Sequence, residues 1–326
     1  MPQEQPATIG VVLLNLGGPE RLDDVEPFLY NLFSDRQIIR LGPKFLQKPL
    51  ARLIARRRAP KSREYYRQIG GGLPLARITA AQAAALEKAL AEHGRFRVKV
   101  AMRYWPPYAR EVLAGLAADG IHNLVALTLY PHYSVATTGS SLDDLHKAAA
   151  AMPGQFTVID IPSWPTQADY VRALADNILA GYRAMGEDAA QVVYSAHSLP
   201  VSFIEEGDPY LDQLKETMVA VEKLTGLAGR LCFQSRSGPV RWLAPSTPEM
   251  LAELAGQGVK AVLMVPISFV SDHVETLYEI DIQYRRLAED LGLKLARAAS
   301  LNDRPLFIAG LRDLVLDACR ANGLEM

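Results

Sequence analysis

VKAVLMVPISFVSDHVETLYEID, residues 259–281, decides how the rest of this 326-residue chain is read. It opens as an apolar run of strand type, rich in Val, Leu and Met, and breaks at Pro266. Asp272, His273 and Glu275 follow, where a helix is predicted to begin. A second run of the same kind, VVYSAHSLP at 192–200, delivers Ser195, His197 and Ser198 ahead of Pro200. Two buried strands that each end in a histidine-bearing turn aim imidazole and carboxylate groups into one crevice. In open α/β sheets that crevice lies beyond the carboxyl ends of the strands.

Outward from these runs, apolar strands are predicted near 8–14, 97–103, 123–130, 156–161, 190–195, 230–234, 260–266 and 293–298. Helical patterns at 78–93, 167–185 and 273–292 lie between them. Such alternation predicts a parallel sheet covered by helices on both faces. Eight strands can close a barrel, but their spacing is uneven and the insertion at about 20–96 is too long for one barrel unit. The expected α/β fold is two doubly wound lobes, each with a four-stranded parallel sheet and a cleft between them. The first lobe covers 1–165 with the insertion, the second covers 166–303, and a helix in 304–326 returns to the first. No internal repeat or low-complexity segment is visible.

Hydrophobic content of 49% and charged content of 22% describe an ordinary globular protein. A net charge of -1 argues against a general nucleic-acid binder. Cys232 and Cys319 are too few for a disulfide framework, a cysteine-ligated zinc site or an iron–sulfur cluster, and read as buried thiols in a reducing compartment. The opening MPQEQPATIGVVLLNLGGPE has no basic leader and breaks at Gly17-Gly18-Pro19, so it reads as a first strand. No apolar segment approaches the roughly 20 residues that span a bilayer. The expected location is cytoplasmic, with contact to a membrane surface left open.

The insertion carries LQKPLARLIARRRAPKSREYYRQIGGGLPL at 46–75. Leu50, Leu53 and Ile54 have helical spacing, beside Arg56, Arg57, Arg58 and Lys61. An apolar face edged with arginine suits a large flat ligand with carboxylates at its rim, since Arg grips carboxylate through a bidentate fork. The plain alternative is a solvated basic helix face.

Among chemistry-bearing residues, His197 leads. A histidine at a strand end is more often structural, but Ser195, Ser198 and Pro200 frame this one rigidly. Ser–His acyl transfer is disfavoured because no G-x-S-x-G elbow is present. Asp272 can cap the following helix, and Glu275 in its first turn suits the helix dipole. Glu279 falls one turn on, on the face of Glu275, whereas Asp281 points elsewhere. His273 either enters the site or fastens the loop. His197 with Glu275 supplies fewer than the four ligands of a structural zinc site, an under-coordination that suits transient metal handling. NLGGPE at 15–20 lacks both phosphate-loop patterns, as does IGGG at 69–72. Tyr104, Trp105, Tyr133 and Trp242 are candidates to line a ligand cleft.

With these residues in place, the chain resembles the ferrochelatases, which insert ferrous iron into a porphyrin. The resemblance runs nearly end to end. It is carried by LNLGGPE (14–20), RRRAPK (56–61), YRQIGGG (66–72), FRV…MRYWPP (96–107), YPHYSVATTGSS (130–141), YSAHSLP (194–200), GDPY (207–210), QSRSGP…WL (234–243) and SDHVETLYEID (271–281). It implies two Rossmann-like lobes about a porphyrin cleft. His197 is similar to the histidine that takes pyrrole protons or meets the metal, and Glu275 to its carboxylate partner. Asp272 and His273 match residues that support that carboxylate through hydrogen bonds, Ser195 stands beside the histidine, and Glu279 continues the acidic line. Arg103 and Tyr104 match the opposite cleft wall; Arg57, Arg58, Lys61 and Tyr66 match the lip and propionate contacts. Tyr133 and Trp242 complete the expected porphyrin site.

The chain departs from the pattern at Gln283, where relatives commonly have glutamate, at Leu73 after the glycines, and at His132, where YPxYS usually has Gln. The resemblance implies a lyase of haem synthesis that takes Fe²⁺ as substrate, with Zn²⁺ as a surrogate. It implies no resident cofactor, and no iron–sulfur cluster, since no cysteine-bearing C-terminal extension is seen. Protoporphyrin IX is the expected porphyrin. Coproporphyrin, another metal such as cobalt, or a non-catalytic tetrapyrrole-binding module are the alternatives. A monomer is expected, with transient contact to a membrane surface or to the preceding enzyme of the pathway.

Overall fold

The computed structural model describes residues 7–186, 190–236, 238 and 240–326. The leader reading of residues 1–6, and Ser237 and Pro239 of the 234–239 motif, lie outside them. Among the described residues eight strands form: β1 (Ile9–Asn15), β2 (Phe96–Met102), β3 (Asn123–Thr128), β4 (Thr157–Ile161), β5 (Gln191–His197), β6 (Gly229–Gln234), β7 (Ala261–Pro266) and β8 (Lys294–Arg297). They make two parallel four-stranded sheets, ordered β2-β1-β3-β4 and β6-β5-β7-β8. All eight stand where the apolar runs predicted them.

The central strands β1, β3, β5 and β7 are mostly apolar because both faces are covered, whereas the edge strand β2 alternates with exposed Arg97 and Lys99. Val11 and Leu13 point into a core shared with Val192, Tyr194, Leu263 and Val265 of the second sheet. Val12 and Leu14 point the other way, against Leu113, Leu116 and Leu145. On the outer face of the second sheet, Val193, Val262 and Met264 pack on Leu251, Leu254 and Ile280. The chain passes from one sheet to the other between Ile161 and Gln191, through the helix Ala168–Ala184. The helix Pro305–Ala321 packs against both that helix and the helix Leu75–Leu90.

The insertion builds its own core from the helices Val25–Ser34 and Gln47–Gln68. The expected stripe of Leu50, Leu53 and Ile54 is not its buried face. Ala51, Ala55 and Ala59 are buried instead, while Leu53 is 54% exposed. Small residues one turn apart let the two helices approach closely, which leucines would prevent. The glycine triplet is structural: a Cβ on Gly72 would sit 1.9 Å from the Glu20 carbonyl oxygen.

The helix expected over 273–292 differs in kind. Residues Glu275–Tyr284 are π-helical, and only Arg285–Asp290 is α-helical. A shorter π-helical stretch, Val135–Gly139, follows β3. Such segments are rare and concentrate at functional sites. Asp272 does not cap this helix: the N-cap is Val274, with no side-chain bond.

Candidate active site

Between the sheets and the insertion lies a cavity of about 1010 Å³, at the upper end of the range for ligand sites. Its walls include Phe28, Leu29, Phe33, Leu73, Phe269 and Trp242. His197, His273, Glu275, Glu279 and Gln283 open onto it from the second lobe, and Arg57, Arg58, Lys61 and Tyr66 from the insertion.

His197 ends β5. Its Nδ1 lies 2.8 Å from the Ser198 carbonyl oxygen, which can only accept, so Nδ1 carries the hydrogen and Nε2 keeps its lone pair. Burial lowers the imidazole pKa, and the Glu279 carboxylate opposes that shift. The ring is therefore neutral near pH 7. Phe269 stands between the two histidine rings, 6.4 Å from His197 and 5.2 Å from His273. His273 is pushed down to about 4 by burial, against the pull of Asp272 and with the help of His197.

Glu275 is the electrostatic centre. Its side chain is 16% exposed, and Oε2 is buried with no hydrogen-bond partner among the described residues. Burial pushes its carboxyl up to about 7. Glu279 is also raised, by burial and then by the Glu275 charge, although Ser235 Oγ donates to it at 2.8 Å and the Tyr284 hydroxyl at 3.3 Å. The two acids line the same cavity and repel each other when charged, in a wider helix than predicted. Tyr66, buried against Glu275, has its phenol pKa raised by burial and by that charge.

Three expected positions depart from the cleft wall. Arg103, Tyr104 and Tyr133 are not among the described residues lining the cavity. Arg103 pairs with Asp35 at 2.9 Å, and the Tyr104 hydroxyl donates to the same carboxylate at 2.7 Å. Asp35, 68 residues from Arg103, draws both side chains behind the wall. Burial opposes its charge, but bonds from Ser140, the Gln37 N–H and Tyr104, with Arg103, hold its carboxyl low. The Tyr133 N–H donates to Gln213 Oε1 of the second lobe at 2.7 Å, while its hydroxyl lies beside Gly139 of the first.

The supporting residues also differ from expectation. Asp272 makes no bond to Glu275; its carboxylate accepts from Ser300 (2.8 Å), Asn302 (3.0 Å) and Arg297 (3.2 Å). Arg297 grips Asp281 as well, at 2.9 and 3.0 Å, so one guanidinium holds the π-helix by its entry and its middle. His273 Nδ1 is 3.9 Å from Glu275 Oε2, too far for a hydrogen bond. Ser195 is fully buried and donates to Gln234 Oε1 at 2.5 Å. Among the described residues, no group of three or more His, Cys, Asp or Glu is arranged to hold a metal ion. Sequence reasoning missed Asp35, Ser235 and Ser268; none has a signal beyond its place in a motif or after a strand.

The geometry defines a bilobal α/β protein with a histidine–carboxylate cleft. Solved structures of the same fold include SirB from Bacillus subtilis with Fe³⁺, at a TM-score of 0.56 and 11% identity over 98% of this chain and 99% of that one. The ferrochelatase family model matches residues 8–319. The ferrochelatase of Desulfotalea psychrophila is 60% identical over 95% of this chain and 97% of its own length. That of Geotalea uraniireducens is 50% identical over 95% and 98%. The chain belongs to the ferrochelatase family. Iron insertion into a porphyrin, a lyase reaction of haem synthesis, is the activity that goes with that membership.

Proposed function

We propose that the chain inserts Fe²⁺ into protoporphyrin IX, with His197 as proton acceptor and Glu275 and Glu279 as the acids that balance charge. One observation carries this: a neutral imidazole with a fixed tautomer opens onto the same cavity as two carboxyls raised toward neutrality. A porphyrin loses two pyrrole protons as the metal enters. His197 Nε2 takes one, and a carboxylate of the Glu275–Glu279 pair takes the other. Because burial raises those acids, each accepts a proton near pH 7 more readily than an exposed glutamate. A ring held out of plane would be bound better at the transition state than at rest.

Fe²⁺ is cargo in this reading, and we assign no resident cofactor or cluster. One imidazole and two partly protonated carboxyls do not make the four-ligand cage that retains a metal. Arg57 and Arg58, with Lys61, receive the propionates at the lip, and Tyr66, buried beside Glu275, and Trp242 contribute to the porphyrin wall. The functional division follows: residues 1–165 with 304–326 supply the lip and one wall, and 166–303 supply the chemistry. We place the protein in the cytoplasm as a monomer. Phe45 (78% exposed) and Leu53 beside Lys48 and Arg52 would touch a membrane surface or the enzyme that hands over the porphyrin. No helix among the described residues is long and apolar enough to cross a membrane.

Anaerobic incubation with Fe²⁺ and either protoporphyrin IX or coproporphyrin III tests the reading, with Zn²⁺ as a second probe. Faster metal insertion into protoporphyrin is expected. A preference for coproporphyrin overturns the substrate, and no insertion into either overturns the reaction.

A further inference from the structure

The GDPY turn at 207–210 is tied to the main chain of His197. His197 is the last residue of β5, and its flanking peptide groups are held by side chains. Its N–H donates to Ser268 Oγ at 3.0 Å, and its carbonyl oxygen accepts from the Tyr210 hydroxyl at 3.0 Å. Tyr210 is 6% exposed and begins the helix Tyr210–Thr225. Its own N–H donates to Asp208 Oδ1 at 3.0 Å.

The other oxygen of Asp208 reaches the opposite lobe. Oδ2 accepts from Ser134 Oγ at 2.9 Å and from the Val135 N–H at 2.8 Å, at the start of the π-helix Val135–Gly139. One carboxylate thus binds two donors from the first lobe and one from the second, and charge-assisted bonds of this kind are the strong ones. The same seam continues along the helix. Thr217 Oγ1 donates to the Pro165 carbonyl at 2.7 Å, so its oxygen accepts from His132 Nε2, 2.8 Å away. The His132 ring stands edge-on to Tyr210, with centroids 6.1 Å apart and planes at 87°. The histidine that replaces the usual Gln at 132 therefore belongs to this seam.

We propose that the Asp208–Tyr210 turn is a positioning device that registers the His197 imidazole against the first lobe across the cleft. It rests on the reading of His197 as proton acceptor. Both residues act through His197, and neither touches the reacting atoms. An error of about 1 Å in such a group can cost on the order of a hundredfold in rate.

The test measures kcat, porphyrin KM and melting temperature for Tyr210→Phe, Asp208→Ala and His197→Ala in the full chain. Tyr210→Phe removes one hydroxyl and keeps the ring. It is expected to lower kcat about tenfold, with porphyrin KM within about twofold and melting lowered by no more than about a few degrees. Asp208→Ala is expected to lower kcat in the same way, and Asp208→Asn, which keeps an accepting oxygen, to restore part of it. Loss of activity in His197→Ala with normal kcat in Tyr210→Phe and Asp208→Ala overturns the positioning role alone. Normal turnover by His197→Ala overturns the reading beneath it and the proposal with it.

Discussion

Strand for strand, the two sheets have the same order, and in each a π-helical stretch lies between the third strand and the α-helix after it. Their chemistry differs completely. The central strand β1 ends in Asn15, whose side chain donates to Thr79 Oγ1 at 3.1 Å and accepts the Leu16 N–H at 2.8 Å. Its counterpart β5 ends in His197, with a free lone pair. The π-helix of the first lobe, VATTG, holds no ionisable group, whereas that of the second holds Glu275 and Glu279. A repeated scaffold thus carries the residues proposed to react in one copy and none of them in the other, as expected if function follows the residues grafted on the fold.

The asymmetry is most exposed to test at the paired strand ends. His197→Ala is expected to lower metal insertion by about 10²–10⁴, the range for removing a general base. Asn15→Ala is expected to cost less than about tenfold in kcat and roughly 2 kcal/mol of stability, from two lost hydrogen bonds. Anaerobic rates and melts of the two variants decide it; comparable kcat losses would mean that both lobes carry chemistry.

Glu275→Gln comes next, with an expected loss of about a hundredfold in turnover while porphyrin still quenches tryptophan fluorescence. The pH profile should move too. Glu279 is raised partly by the Glu275 charge, so removing that charge lets Glu279 ionise at lower pH. The acid limb of kcat/KM is then expected to shift to lower pH. An unmoved limb would place the titrating group elsewhere. Smaller again is the joint change Arg57→Ala and Arg58→Ala, which should raise the porphyrin KM about tenfold with little change in kcat, since it weakens binding at the rim.

The contrast also marks what the residues reveal before folding. The four central strands were legible because double-sided burial demands long apolar runs, and the edge strands from shorter or alternating ones; a shared topology left no sequence repeat because the sheets need only apolar character. The π-helix was not legible: bonding from i to i+5 has no residue signature, so Glu275 and Glu279 read as an α-helical pair. Asp272 read as a cap because its partners Ser300 and Asn302 lie 28 and 30 residues away. The resemblance puts Arg103 and Tyr104 on the cleft wall, and their anchor Asp35 is fixed only by the tertiary fold. The histidine turn and the acid at 275 are local to strand ends, which is why they could be found.

The smallest effect separates the lobes by the sign of a stability change with pH. Asp35 and Glu275 are both largely buried acids, with side chains 8% and 16% exposed. Asp35 is surrounded by donors that hold its pKa below the ordinary 3.8, so it stabilises the fold above that pH and loses the contribution as pH falls. Glu275 is raised from 4.5 to about 7. The folded state holds its proton more tightly than the unfolded chain does, so that contribution is complete below 4.5 and is lost as pH rises through 7. At pH 8 the buried charge therefore leaves the fold weaker by up to roughly 3 kcal/mol than at pH 4. Glu275→Gln abolishes the titration. Its melting temperature relative to the parent is expected to be a few degrees higher at pH 8 than at pH 5. Asp35→Asn is expected to lower melting at pH 8, and to lower it less as the pH falls below 4. A Glu275→Gln difference that does not change with pH would show that this carboxyl titrates as an exposed one, and the electrostatic distinction between the lobes would fail.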